Sequence, residues 1–122
     1  MAKQMPPWLQ EQLKRYQQTQ VDLQNLMIHI EKNEQDMRVT ETAIKELETT
    51  PGTANVYKAT GPVMIQSDKK TLQDELTERL ELGKTAAAVL EKQKGRLMST
   101  LKEQEAKLNE ATRGGAMKPQ GS

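Results

Sequence analysis

Apolar residues recur at every seventh position along the first third of the chain: Leu9, Tyr16, Leu23, Ile30, Met37 and Ile44. A strand cannot use that period, because its side chains change face at each residue, whereas a helix gathers positions seven apart on one side. Leu76, Gly83, Leu90 and Leu97 repeat the interval later in the chain, with Leu80, Ala87, Leu101 and Leu108 as a companion series. Two such stretches predict two helices that bury a narrow seam against each other as a coiled coil. Gln20, Glu34 and Lys94 fall where the pattern expects apolar residues, and they read as polar interruptions that restrict register.

Punctuation sets the boundaries. Residues 8–48 contain no Gly or Pro and are rich in good helix formers, so they predict helix 1. Pro6 and Pro7 precede or open it, and Thr49-Thr50-Pro51-Gly52 closes it. Helix 2 is expected over 68–111, capped by Ser67 or Asp68 and stopped by Gly114-Gly115, with a flexible tail over 112–122. Each helix of about 40 residues measures roughly 60 Å at 1.5 Å per residue, so an antiparallel hairpin matches them end to end. Glu11/Arg15, Glu34/Arg38, Glu41/Lys45, Glu75/Arg79 and Glu103/Lys107 are expected to pair along the helix surfaces.

Between the helices, 54–60 and 63–67 flank Gly61-Pro62 and read as a β-hairpin. Two strands alone are marginal in water and leave both edges unpaired, so the hairpin predicts assembly with other chains. The fold class is therefore mainly α: a long antiparallel two-helix coiled coil with one short β-hairpin, within one domain over 1–122. Hairpins of several chains are expected to join into a shared sheet or an intersubunit β-barrel.

Composition removes several functional classes. Only 34% of the residues are hydrophobic and the aromatics are Trp8, Tyr16 and Tyr57, too little bulk to fill a globule. A net charge of +1 argues against nucleic acid or an anionic membrane surface as partner. Cysteine is absent, which rules out disulfides and thiolate chemistry and suits a reducing compartment. With no membrane-span-length apolar run and no signal-peptide core at Met1–Leu13, the chain is expected to be soluble and cytoplasmic. His29 has no second ligand at metal spacing, the carboxylates read as solvated faces, and Gly114-Gly115 lacks the context of a phosphate loop. The sequence therefore predicts no catalytic residues, metal or cofactor.

Glu46-Leu-Glu-Thr-Thr-Pro51 and Asn55-Val-Tyr-Lys-Ala-Thr-Gly-Pro-Val-Met-Ile65 resemble the β-type prefoldin subunits, and the sixth eukaryotic prefoldin subunit looks similar here too. Tyr16-Gln-Gln and Leu72-Gln-Asp-Glu-Leu-Thr-Glu-Arg-Leu-Glu81 extend the likeness over roughly residues 8–111. The resemblance implies a hexamer of two α-type and four β-type subunits. It further implies an ATP-independent holdase, not an enzyme, that keeps unfolded clients from aggregating and passes them to a group II chaperonin. By the same likeness Val56, Tyr57, Lys58, Gly61, Val63 and Ile65 belong to the assembly hairpin.

Client contact is expected where both termini meet, at Met5, Trp8, Leu9, Leu108, Ala111 and Met117, because flexible Met and fraying helix ends suit promiscuous apolar binding. The plainer reading is that Leu9 and Leu108 close the seam and that Met1 and Met117 sit in ordinary tails. Two other functions compete with the holdase: a structural coiled coil that tethers specific partners, and a nucleic-acid-associated coiled coil, which the balanced charge disfavours.

Overall fold

A computed structural model describes residues 5–114. Its elements run α1 (Pro7–Glu48), β1 (Val56–Thr60), β2 (Val63–Ser67) and α2 (Lys69–Gly114). The second helix thus continues past Ala111, through Thr112 and Arg113 to Gly114. Pro7 occupies the first turn of α1, where its missing N–H costs nothing, and the Pro6 carbonyl accepts from the amides of Leu9 and Gln10 at 3.0 Å. Of the two caps expected for α2, Asp68 is the one used: its carboxylate accepts from the Thr71 amide at 2.9 Å and the Thr71 hydroxyl at 2.7 Å. Those bonds, the amide's first, hold the Asp68 carboxyl below its ordinary range.

The described residues form two compact units: residues 5–29 with 90–114, and residues 30–89. In the terminal unit, the early part of α1 pairs with the late part of α2, and the Tyr16 hydroxyl donates to Glu105 at 2.8 Å. That bond, followed by desolvation and the carboxylate's charge, raises the Tyr16 pKa. In the hairpin unit, Asn33 reaches Gly83 and Asp36 reaches Arg79, so the two helical stretches run antiparallel.

The first seam series of α1 lies where the heptads place it, but the companion series lies three residues on rather than four. Thr19, Leu26, Asn33, Thr40 and Leu47 are buried or half-buried, whereas Gln20 and Glu34 are exposed. The expected interruptions at Gln20 and Glu34 are thus corrected: the polar residues inside are Thr19, Asn33 and Thr40. Threonine is tolerated there because its hydroxyl serves its own helix, from Thr19 to the Arg15 carbonyl at 3.0 Å and from Thr40 to Asp36 at 2.8 Å. Lys94 is half-buried, as its place in the α2 seam requires.

Asn33 solves the same problem across the helix pair. Its Nδ2 donates to the Gly83 carbonyl at 3.0 Å. Gly83 stands in the seam where a leucine would fit the pattern, and a Cβ there would lie 2.7 Å from Met37 Cγ. The missing side chain is what lets α1 approach the α2 backbone closely enough for that bond.

Two of the five expected helix-surface pairs form, Glu11/Arg15 at 3.4 Å and Glu34/Arg38 at 3.9 Å. Glu75 and Arg79 do not pair with each other. Glu75 binds Lys58 of β1 at 3.0 Å, and Arg79 makes a two-pronged bond to Asp36 of α1. A guanidinium fork matched to a carboxylate outcompetes a same-helix pair. It also holds the Asp36 carboxyl below its usual range and raises Arg79.

Candidate functional site

The hairpin is built around Gly61, the one described residue with left-handed backbone, at φ 59°. A glycine at the first central position followed by Pro62 is the pattern of a two-residue type II′ turn, which matches the twist of paired strands. Register follows directly: Thr60 opposes Val63, Ala59 opposes Met64, Lys58 opposes Ile65, Tyr57 opposes Gln66 and Val56 opposes Ser67.

Strand alternation then places Val56, Lys58, Thr60, Val63 and Ile65 on one face, and Tyr57, Ala59, Met64 and Gln66 on the other. Only the root pair, Val56 and Ser67, is half-buried, and the eight other strand residues are exposed. Tyr57 is 50% exposed, Val63 54%, Met64 66% and Ile65 52%. The sequence leaves open which face packs inward, and the answer is that beyond the root neither is covered. Each strand also keeps one edge without a backbone partner in a sheet of two strands.

In the terminal unit, Trp8 is 54% exposed while its neighbour Leu9 is 2% exposed. Leu9 therefore belongs to the seam, and only opening of the helix end would expose it. Met5, Leu108 and Ala111 are half-buried. Met117 lies outside the described residues, as do Met1 and Gly115.

His29 is exposed on the rim of a shallow groove of about 430 Å³ that also meets Asp22, Gln93 and Arg96. Among the described residues no group of three or more His, Cys, Asp or Glu is arranged to hold a metal ion, and no helix is long and apolar enough to cross a membrane.

The family described as Prefoldin subunit matches residues 10–114. The chain belongs to the prefoldin family. Among curated relatives, prefoldin subunit beta of Methanothrix thermoacetophila is 36% identical over 121 residues, covering 99% of each chain. Prefoldin subunit beta of Saccharolobus islandicus is 32% identical over 110 residues, covering 90% of this chain and 87% of the relative. The crystal structure of the prefoldin beta subunit from Thermococcus strain KS-1 superposes with a TM-score of 0.78 at 28% identity, covering 93% of this chain and all of that one. Two long helices with a short antiparallel hairpin between them are thus the β-subunit fold of the prefoldins, a family of chaperones rather than an enzyme class.

Sequence reasoning missed Met64, the most exposed large apolar residue among those described. Its position in the second strand and its apolar side chain were signal enough, since the residues on either side of it were assigned to the hairpin. It also missed Glu75 as the partner of Lys58, which depends on how the hairpin lies against α2.

Proposed function

We propose that this chain is the β-type subunit of an ATP-independent hexameric chaperone, two α-type and four β-type subunits joined through their hairpins in a β-barrel. The observation that carries this reading is the hairpin itself, with four large apolar side chains exposed on two faces and two open edges. A surface of that kind in a charged, low-hydropathy chain marks a protein–protein contact. Val56, Tyr57, Lys58, Gly61, Val63 and Ile65 form the contact. Gly61 supplies the turn and Lys58, tied to Glu75, sets the lie of β1.

The assembled complex binds unfolded clients in the cytoplasm, keeps them from aggregating and hands them to a group II chaperonin without nucleotide chemistry. Trp8 and Met5 make the apolar client contact at the free helix ends, with Leu108, Ala111 and Met117 as neighbours and Leu9 joining as the end frays. The test replaces Met5 and Trp8 together with Ser and follows aggregation of a denatured client by light scattering in the complete hexamer. Weaker suppression by an intact hexamer is expected, and unchanged suppression would remove these residues from the client surface.

A further inference from the structure

The hairpin joins the helices through two unlike roots. On the β2 side, Ser67 and Asp68 lead straight into α2, and the Asp68 cap fixes that junction. On the β1 side, residues 49–55 intervene, a stretch that includes Gly52 and has no helix or strand of its own. It holds itself by the Thr50 amide on the Leu47 carbonyl at 3.1 Å and the Ala54 amide on Pro51 at 3.0 Å. Ordering seven such residues is entropically expensive. Beside the Lys58–Glu75 ion pair on β1 itself and the bond that Gln66 Nε2 donates to Asn55 Oδ1 at 3.4 Å, the pose of β1 therefore depends on what else grips them.

Lys69, the first residue of α2, supplies that grip. Its half-buried side chain sends Nζ to the Thr50 carbonyl at 2.8 Å and the Glu48 carbonyl at 3.4 Å. Among the described residues it is the one side chain of α2 that hydrogen-bonds this segment. Glu46 accepts from the hydroxyls of Thr49 and Thr50, Leu47 accepts from the Thr50 amide, and Glu48 accepts from Lys69. The ammonium therefore completes the cap of α1 with the charge that suits a helix C-terminus, and it does so from the rigid root.

We infer that Lys69 is a positioning residue for assembly: it ties the loose root of the hairpin to the capped one and so presents both strands in the pose that joins other subunits. This rests on the assembly reading above. Lys69 touches no partner itself; it acts by removing the freedom of 49–55 before association, so that less order has to be imposed during it.

The test compares full-length wild type, Lys69→Met and Lys69→Arg by amide hydrogen exchange of the free chain and by native mass spectrometry after mixing with an α-type prefoldin subunit. Lys69→Met keeps the aliphatic stem and loses the charge-assisted bonds. The expected result is about tenfold faster exchange at Val56–Thr60 and about tenfold weaker hexamer formation, with helix amides unchanged. Lys69→Arg should restore most of both. Unchanged strand exchange in Lys69→Met overturns the clamp, as does loss of helical content, which would make Lys69 a residue of the fold. Faster exchange with undiminished assembly overturns the positioning role. Failure of wild type to form any complex would instead overturn the assembly reading, while the exchange comparison still decides the clamp.

Discussion

The hairpin and the helix seam invert the usual distribution of polarity. The hairpin leaves Tyr57, Val63, Met64 and Ile65 exposed, while the seam buries Thr19 and Thr40 and half-buries Asn33. Each inversion has a different remedy. The three polar seam residues of α1 are satisfied inside the chain, two by their own helix and one by Gly83, whereas in α2 the Gln104 Oε1 is buried without a hydrogen-bond partner. Among the described residues, the hairpin's exposed apolar groups and backbone edges find no such remedy. The proposed completion of the hairpin by another chain rests on this contrast between α1 and the hairpin.

Breaking the hairpin side of this contrast gives the largest effect. Val63→Asp with Ile65→Asp puts two charges on one exposed strand face, and hexamer formation measured by native mass should be abolished while far-ultraviolet circular dichroism stays helical. Loss of helix would instead place those residues in the core.

The seam side breaks at Gly83. Gly83→Val drives a branched side chain into Met37, and overpacking of this kind costs about 2 kcal/mol, partly offset by a better helix propensity. Thermal melting should show a clear fall in Tm, and an unchanged Tm would mean that the helices do not approach closely there.

Thr40→Val sharpens the comparison, because Thr40 is 3% exposed and its hydroxyl adds a second bond to a carbonyl already within a helix. Stability in urea should be unchanged or higher, by up to about 1 kcal/mol. A loss of more than that would show that the hydroxyl serves the partner helix.

The smallest effect concerns Asp36. Its pKa is lower folded than unfolded because Arg79 bonds and attracts the carboxylate, so the unfolded chain binds the proton more readily. The stabilisation is present above the unfolded pKa of about 4 and disappears as pH falls through the folded value. Because the pair is largely exposed, it amounts to about 0.5 kcal/mol or less. Asp36→Asn should flatten that acid limb in a series of urea melts, and an unaltered limb would assign it to other carboxylates.

The helices and hairpin were legible in sequence because period, Pro, Gly and cap residues act locally. The companion seam was not, and the reason is specific. At plus four, α1 offers Leu13 and Met27 among polar residues; at plus three it offers Leu26 and Leu47 among threonines and Asn33. Counting apolar residues scarcely separates the two, and a threonine bonded to its own helix is seam material that a hydropathy count scores as polar. The pairings of Glu75, Arg79 and Lys69 were equally hidden, because their partners lie 17 to 43 residues away and meet only once the chain folds. In the candidate client region, Leu9 is apolar like Trp8, and only burial separates them.

The central claim is that the exposed hairpin is completed by other subunits. Native mass spectrometry of this chain mixed with an α-type prefoldin subunit tests it most directly. The account predicts a complex of two α-type and four copies of this chain that disappears with Val63→Asp and Ile65→Asp; a stable monomer, or a simple dimer indifferent to those substitutions, would contradict it.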